Sequence, residues 1–343
     1  MPSMREIYVL DNTLRDGGYV NDFRFGKRII QEMICGLGEV GIDIIECGFL
    51  RSGQQDEERS VFSNMERIRE CIGVKNKRSL YVAMLQYGKM CIDDIPLCDP
   101  ENLDGIRVSF HAQEITPALV FARQLRDKGY KVFLQPVGMT SYTREELLKL
   151  MLEVNEIKPY AFYIVDTFGN MDGDKIIEIF RFIDCRLAQG ILLGFHSHDN
   201  LQLSFFNAKA LCCTESCRDL ILDASMYGMG RGSGNLKTES ILSYLNLNCH
   251  EKYDSSALNV LLEKYIVPLS KEYRWGYDPA YRYSAINNCH PNYARYLLEV
   301  RRLKKEDICD ILCHMDVGKR TIYDESYIVQ VCECRLNRKT ASS

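Results

Sequence analysis

Short apolar runs alternate with longer amphipathic ones along most of the chain. Residues 8–13, 44–49, 80–85, 106–110, 132–137, 162–166, 192–196 and 220–226 read as eight strands. Between them, apolar residues recur at helical spacing over residues 27–40, 57–71, 114–128, 144–157, 175–189 and 201–215. Strands that alternate with helices form βαβ units on a parallel sheet. Gly41 and Gly129 follow helical runs, as helix-ending glycines do. After the third strand, Pro96 and Pro100 leave room in residues 88–99 for only a short helix.

Eight such units fit a closed (β/α)8 barrel, a TIM barrel of the α/β class. Polar residues recur at strand ends all along the chain rather than at one switch point, which favours the barrel over an open doubly wound sheet. Beyond residue 250 the pattern changes. Residues 255–272, 292–303, 305–314 and 319–334 read as helices, joined to the barrel by the aromatic, turn-rich segment 273–291. The expected division is a catalytic barrel at 1–250 and a C-terminal helical extension at 251–343.

The length of 343 residues suits a barrel of roughly 250 residues plus that extension. With 46% hydrophobic and 26% charged residues, the chain can bury a large core. A net charge of −4 without basic clustering argues against nucleic-acid binding, and Arg301, Arg302, Lys304 and Lys305 read as a solvated helix face. No window approaches the roughly 18 apolar residues of a membrane span. The 15 cysteines fit no common zinc spacing and read as reduced core residues, so the expected compartment is the cytoplasm.

Three segments carry candidate chemistry. His196-Ser197-His198 closes the seventh strand, and residues two apart on a strand share a face, so both imidazoles can address a transition metal at the barrel mouth. A chance pair of strand histidines is the alternative. Asp16 follows the first strand in Arg15-Asp16-Gly17-Gly18, where the glycines suit a tight turn with unusual dihedrals. Asp16 is then a carboxylate ligand and Arg15 a fixed cation, or the two form a structural ion pair. Gly228 to Asn235, with four glycines in eight residues, can cradle an anion or serve only as a flexible turn. Strands one and eight become neighbours when a barrel closes, so Asp16, His196, His198 and Asn235 can meet at one rim.

Asn12-Thr13-Leu14-Arg15-Asp16-Gly17, His196-Ser197-His198-Asp199-Asn200 and Gly232-Ser233-Gly234-Asn235-Leu236-Lys237-Thr238-Glu239 together resemble the DRE-TIM metallolyase superfamily over roughly residues 7–245. Within that superfamily, which includes the coenzyme A lyases, the chain looks closest to the 4-hydroxy-2-oxovalerate aldolases. The resemblance implies that Asp16, His196 and His198 hold a divalent metal, with Asn235 coordinating or close by. Manganese comes first among the metals, with magnesium, zinc or cobalt as alternatives. It further implies that Arg15 stabilises an enolate. One departure stands out: where those aldolases carry a histidine assigned as the acid/base, this chain has Tyr19, whose ordinary pKa near 10 makes it a weak base at neutral pH. Candidates for the base are Tyr19, His111 after the fourth strand, and His290 or Tyr293 from the extension. Glu46, Arg107, Gln135 and Thr167 at strand ends, together with His290, are candidate substrate contacts.

The activity expected from this resemblance is cleavage or formation of a carbon–carbon bond in a 4-hydroxy-2-oxo acid, releasing pyruvate and an aldehyde through a stabilised enolate. The alternatives are an acyl-CoA lyase or synthase of the same superfamily, a metal hydrolase, and a non-catalytic barrel subunit. Expected partners are a small 2-oxo acid and an aldehyde, a second copy of the chain in a homodimer, and an aldehyde dehydrogenase.

Overall fold

The computed structural model describes residues 5–249 and 251–342, with side chains described up to residue 335. Eight strands form the sheet: β1 (Ile7–Asp11), β2 (Ile44–Leu50), β3 (Leu80–Gln86), β4 (Gly105–Phe110), β5 (Lys131–Pro136), β6 (Ala161–Asp166), β7 (Leu192–Ser197) and β8 (Leu220–Ala224). Every neighbouring pair is parallel, and β1 pairs with both β8 and β2, so the sheet closes on itself as a TIM barrel. All eight expected strands are present, within two residues at each end.

Helices α1 (Lys27–Val40), α2 (Met65–Ile72), α3 (Ile115–Asp127), α4 (Arg144–Ile157), α5 (Gly173–Asp184), α6 (Ser204–Cys213) and α7 (Thr238–Asn248) return the chain between strands or follow the last one. Only a single 3-10 turn, Ile92–Asp94, follows β3, as the prolines require. Two expectations fail here. The run from residue 57 does not begin a helix until Met65, because Asn64 caps α2 by accepting from the Arg67 N–H at 3.0 Å. Ahead of that cap the chain makes a two-residue strand, Val61–Phe62, beside the outer end of β2. It fits there because β2 shifts register between Glu46 and Phe49, and Gly48, at φ +149°, lets the Ser60 carbonyl approach where a Cβ would lie only 2.1 Å away. The sequence reading also leaves out α7.

Alternation along the strands builds the core. Val9, Ile45, Leu85, Val108, Leu134, Ile164, Phe195 and Leu222 face the helices. Leu10, Ile44, Val82, Phe133, Tyr163 and Ile221 face inward and fill the lower barrel. Gly194 is part of that filling, since a Cβ there would sit 2.3 Å from the Tyr163 ring. One layer up, the same inward parity presents Glu46, Arg107, Gln135, His196 and Asp223, all buried. The barrel is therefore apolar at the bottom and polar at the C-terminal end of its strands, where such barrels carry their sites.

The extension starts with α8 (Ser255–Leu261), which runs through one π turn into α9 (Val267–Glu272), matching the expected helix at 255–272. Leu261 packs on α1 at Gly36, where any side chain would collide with it. The segment at 273–291 is not merely a link. It contains α10 (Pro279–Ile286), started by Asp278 accepting from the Ala280 N–H at 2.8 Å, with Pro279 in the first turn. Then come α11 (Pro291–Arg295), α12 (Lys305–Cys313) and α13 (Glu325–Ser342), the last starting later than expected, after a 3-10 turn at Val317–Lys319. These helices share their own apolar cluster around Tyr281, Tyr293, Leu297, Ile311 and Ile328. Asn170 after β6 donates to Asn288 at 2.6 Å, and Trp275 donates to the Tyr227 carbonyl at 3.1 Å, tying the extension over the barrel mouth. Among the described residues, no helix is long and apolar enough to cross a membrane.

Candidate metal centre

Asp16 is placed by a tight turn at the end of β1. The Asn12 carbonyl accepts from the N–H groups of both Arg15 and Asp16, at 3.0 and 2.8 Å, while the Asn12 N–H donates to Ala224 of β8 at 2.8 Å. The following Gly17 and Gly18 do not need unusual dihedrals, which corrects the sequence expectation: Asp16 to Val20 continue as a right-handed 3-10 turn. They need room. A Cβ on Gly18 would lie 2.2 Å from the Phe23 ring, and one on Gly17 would press on Met229.

His196 and His198 enter from the end of β7, with ring centroids 5.2 Å apart and nearly perpendicular. His196 Nε2 lies 3.3 Å from Asp16 Oδ2. Ligand atoms of Asp16, His196 and His198 all fall within 4.8 Å of one another, and all three residues are buried. A carboxylate and two imidazoles suit a divalent ion of the manganese-to-zinc range.

Their protonation states fit as well. Burial opposes charge on Asp16, but Arg15 and the histidines outweigh it and hold the carboxyl well below its ordinary value. Burial pushes His198 down to about 3, so its ring is neutral at ordinary pH. Burial also opposes charge on His196, but hydrogen bonds to Asp16 and Asp223 raise its pKa above the usual value.

Asp223, which the sequence reading missed, explains the orientation of His196. Its Oδ2 is 3.0 Å from His196 Nδ1 and is held from behind by the buried Arg107. An imidazole whose Nδ1–H is taken by a carboxylate presents Nε2 for a metal. Asp223→Asn is accordingly expected to weaken Mn²⁺ binding roughly 10–100-fold in a metal titration, and an unchanged affinity would remove Asp223 from this role. A lone aspartate on an otherwise apolar strand was the available signal.

Arg15 joins the second carboxylate of this layer. Its Nε donates to Glu46 at 2.8 Å and its Nη1 to Asp16 at 2.5 Å, while Nη2 has no protein partner. Arg107 lies 2.8 Å from the same Glu46 oxygen and stacks 4.8 Å from the Tyr163 ring centroid. Glu46 and Arg107 thus sit beneath the cavity and brace it. The expectation that they contact substrate is corrected, because neither lines the cavity: Glu46 pairs with Arg15 and Arg107, and Arg107 with Asp223.

A cavity of about 310 Å³ opens above the three ligands. Arg15, Tyr19, His111, Gln135, Thr167 and His290 line it, as does Arg231, to which the sequence reading gave no role. His290, Asn292 and Tyr323 come from the extension, so the helical segment forms part of the wall. Tyr293 does not line it: its hydroxyl is engaged with the Lys319 and Ile322 carbonyls at 2.8 and 2.7 Å and accepts from the Asp324 N–H. That corrects its assignment as an acid/base. Asn235 pairs through its backbone with His198, and its Oδ1 is buried without a hydrogen bond, but its side chain borders a neighbouring cavity. The glycine-rich loop is pinned by Asn200, whose Oδ1 accepts from the Ser233 N–H at 2.8 Å and fills the space a Cβ on Gly232 would need.

Residues 105–263 match a family model described as HMGL-like. The chain is 26% identical to a 4-hydroxy-2-oxovalerate aldolase of Geobacillus genomosp. 3 over 70% of each chain. It is 24% identical to one from Geobacillus thermodenitrificans over 100% of this chain and 99% of that one. It is also 26% identical to an oxaloacetate decarboxylase of Mycobacterium tuberculosis over 72% of each. Among solved structures it is similar to the N-terminal domain of a candidate aldolase from Bacteroides vulgatus, with a TM-score of 0.73 and 26% identity over 87% of this chain and 100% of that one. The HMG-CoA lyase of Bacillus subtilis shares the fold, with a TM-score of 0.60 and 15% identity over 79% of this chain and 95% of that one.

Proposed function

We infer that this chain, which carries an HMGL-like domain, is a divalent-metal-dependent aldolase that cleaves or forms the C3–C4 bond of a 4-hydroxy-2-oxo acid. One observation carries the inference: Asp16, His196 and His198 converge beside Arg15 at a single cavity on the C-terminal rim of the barrel. We place manganese first among the ions and the cytoplasm as the compartment, where fifteen unpaired thiols stay reduced.

A divalent ion held by Asp16, His196 and His198 supplies Lewis-acid polarisation of the substrate carbonyl. The protein's own groups do the rest. Asp223 keeps Nε2 of His196 turned toward the ligand position. Arg15 lines the cavity with an unpartnered Nη2 and is fixed by Glu46, so it holds the negative charge that develops on the enolate oxygen as the bond breaks. Gln135 and Thr167 line the same wall and orient polar groups of the substrate. A base must take the proton from the 4-hydroxyl. His290 is poorly suited: burial holds its ring neutral, and its Nδ1 already accepts from the Asn292 N–H at 3.2 Å, which leaves the ring proton on Nε2. Tyr19 and His111 remain as the candidates facing the cavity.

The experiment is a pyruvate-release screen over 4-hydroxy-2-oxo acids, run on metal-stripped protein and again after Mn²⁺ or Mg²⁺ is restored. Release that depends on the ion is expected. Turnover that persists after stripping, or ester hydrolysis without pyruvate, would move the chain to another class.

A further inference from the structure

We propose that the aldehyde half of the substrate carries a second anionic group, a carboxylate or a phosphate, and that Arg231 binds it. The inference rests on the 2-oxo acid assignment above and narrows the substrate class of the same site.

The cavity wall holds two guanidinium groups and one carboxylate, Asp16. Arg15 is matched, since it bridges Asp16 and Glu46. Arg231 forms no ion pair with any described residue. It comes from the glycine-rich loop, and its backbone N–H donates to Asp16 Oδ1 at 3.3 Å. Its guanidinium is held by weak contacts alone: 5.2 Å from the Tyr19 ring centroid and 3.5 Å from His198 Nε2. Its Nε is buried without a partner.

A ring face orients a cation without neutralising it. Placing a divalent ion between Asp16 and the histidines would add positive charge next to that guanidinium, and one 2-oxo carboxylate is too little to offset both. A second anion between the ion and Arg231 removes the repulsion and gives the fork-shaped donor a bidentate acceptor. Acetaldehyde, the neutral product expected from 4-hydroxy-2-oxovalerate, supplies no such group.

The test is calorimetric binding to the Mn²⁺-loaded protein of three ligands that lack a 4-hydroxyl and so cannot be cleaved: 2-oxopentanoate, 2-oxopentanedioate and 2-oxo-4-phosphonobutanoate. At least one dianion is expected to bind on the order of tenfold or more tighter than the monoanion, and which one it is identifies the carboxylate or the phosphate. In Arg231→Gln that ratio should fall toward unity, and in Arg231→Lys it should be partly kept. Equal affinities in the unaltered protein would overturn the proposal while leaving the 2-oxo acid assignment intact. Arg231→Gln weakening all three ligands equally would also overturn it, by assigning Arg231 to the shared carboxylate. If none of the three binds, the 2-oxo acid assignment itself fails.

Discussion

Replacing His198 with alanine is expected to abolish stoichiometric Mn²⁺ binding and to lower pyruvate release by three orders of magnitude or more (roughly the loss of ~4 kcal/mol of transition-state stabilisation). The ring is buried and neutral, so it stands ready as a donor with no proton to lose. Its loss leaves two ligand residues, too few to hold an ion in competition with water. His196→Ala should match it, and it should do so at every pH. The intact site should depend on pH in one direction. Asp16 and His198 are already in their metal-binding forms across the ordinary range, so His196, with its raised pKa, is the ligand that must shed a proton. Mn²⁺ affinity should therefore climb as pH rises through the His196 value and fall tenfold per unit below it. Titration of Mn²⁺ by electron paramagnetic resonance between pH 5 and about 8 reads both effects. A His198→Ala protein that still binds one equivalent with native affinity would dissolve the proposed centre. A flat pH dependence would remove His196 from the ligand set.

Which parts of this site could be read from the chain alone follows from how local each signal is. The eight strands announce themselves because each is a short apolar run whose neighbours are amphipathic, and both signals are contained within one element. Asp16, His196 and His198 were legible for a related reason: each sits in a compact motif at a strand end, and barrel closure brings the first strand beside the eighth. Asp223 was not, because its meaning lies in a register. It lies opposite Leu10 across the β1–β8 pair, facing inward, and becomes a histidine support only because β7 sets His196 next to it. Arg231 was hidden inside a glycine-rich segment that draws attention to its backbone. The error over Tyr293 has the same root. A tyrosine following His290 resembles a site residue until three backbone groups from residues 319–324, packed against it by the fold, are found to occupy its hydroxyl. Glu46 and Arg107 are polar residues at strand ends like the others, and only the barrel interior shows that they pair with Arg15 and Asp223 and stay out of the cavity lining.

Arg15→Ala should lower kcat by about 10²–10³-fold, or roughly 3–4 kcal/mol, while Mn²⁺ still binds. The size follows from the position of the guanidinium: fixed by Glu46 and Asp16, nearly removed from water, and with its Nη2 left without a partner. Charge that appears on an enolate oxygen there meets a cation that needs no reorganisation. The alanine also leaves two buried carboxylates without their cation, which can cost about 3–5 kcal/mol of stability, so the melting temperature must be followed alongside the rate. Arg15→Lys separates the two consequences. It restores a positive charge near Glu46 and Asp16 but lacks the rigid planar fork that bonds both carboxylates and still presents a further donor in a fixed direction. Its stability should recover more than its rate. Should kcat survive in Arg15→Ala, the enolate charge must be held elsewhere. Should Mn²⁺ affinity collapse in step with kcat in both variants, Arg15 acts by keeping Asp16 in place rather than by touching the reaction.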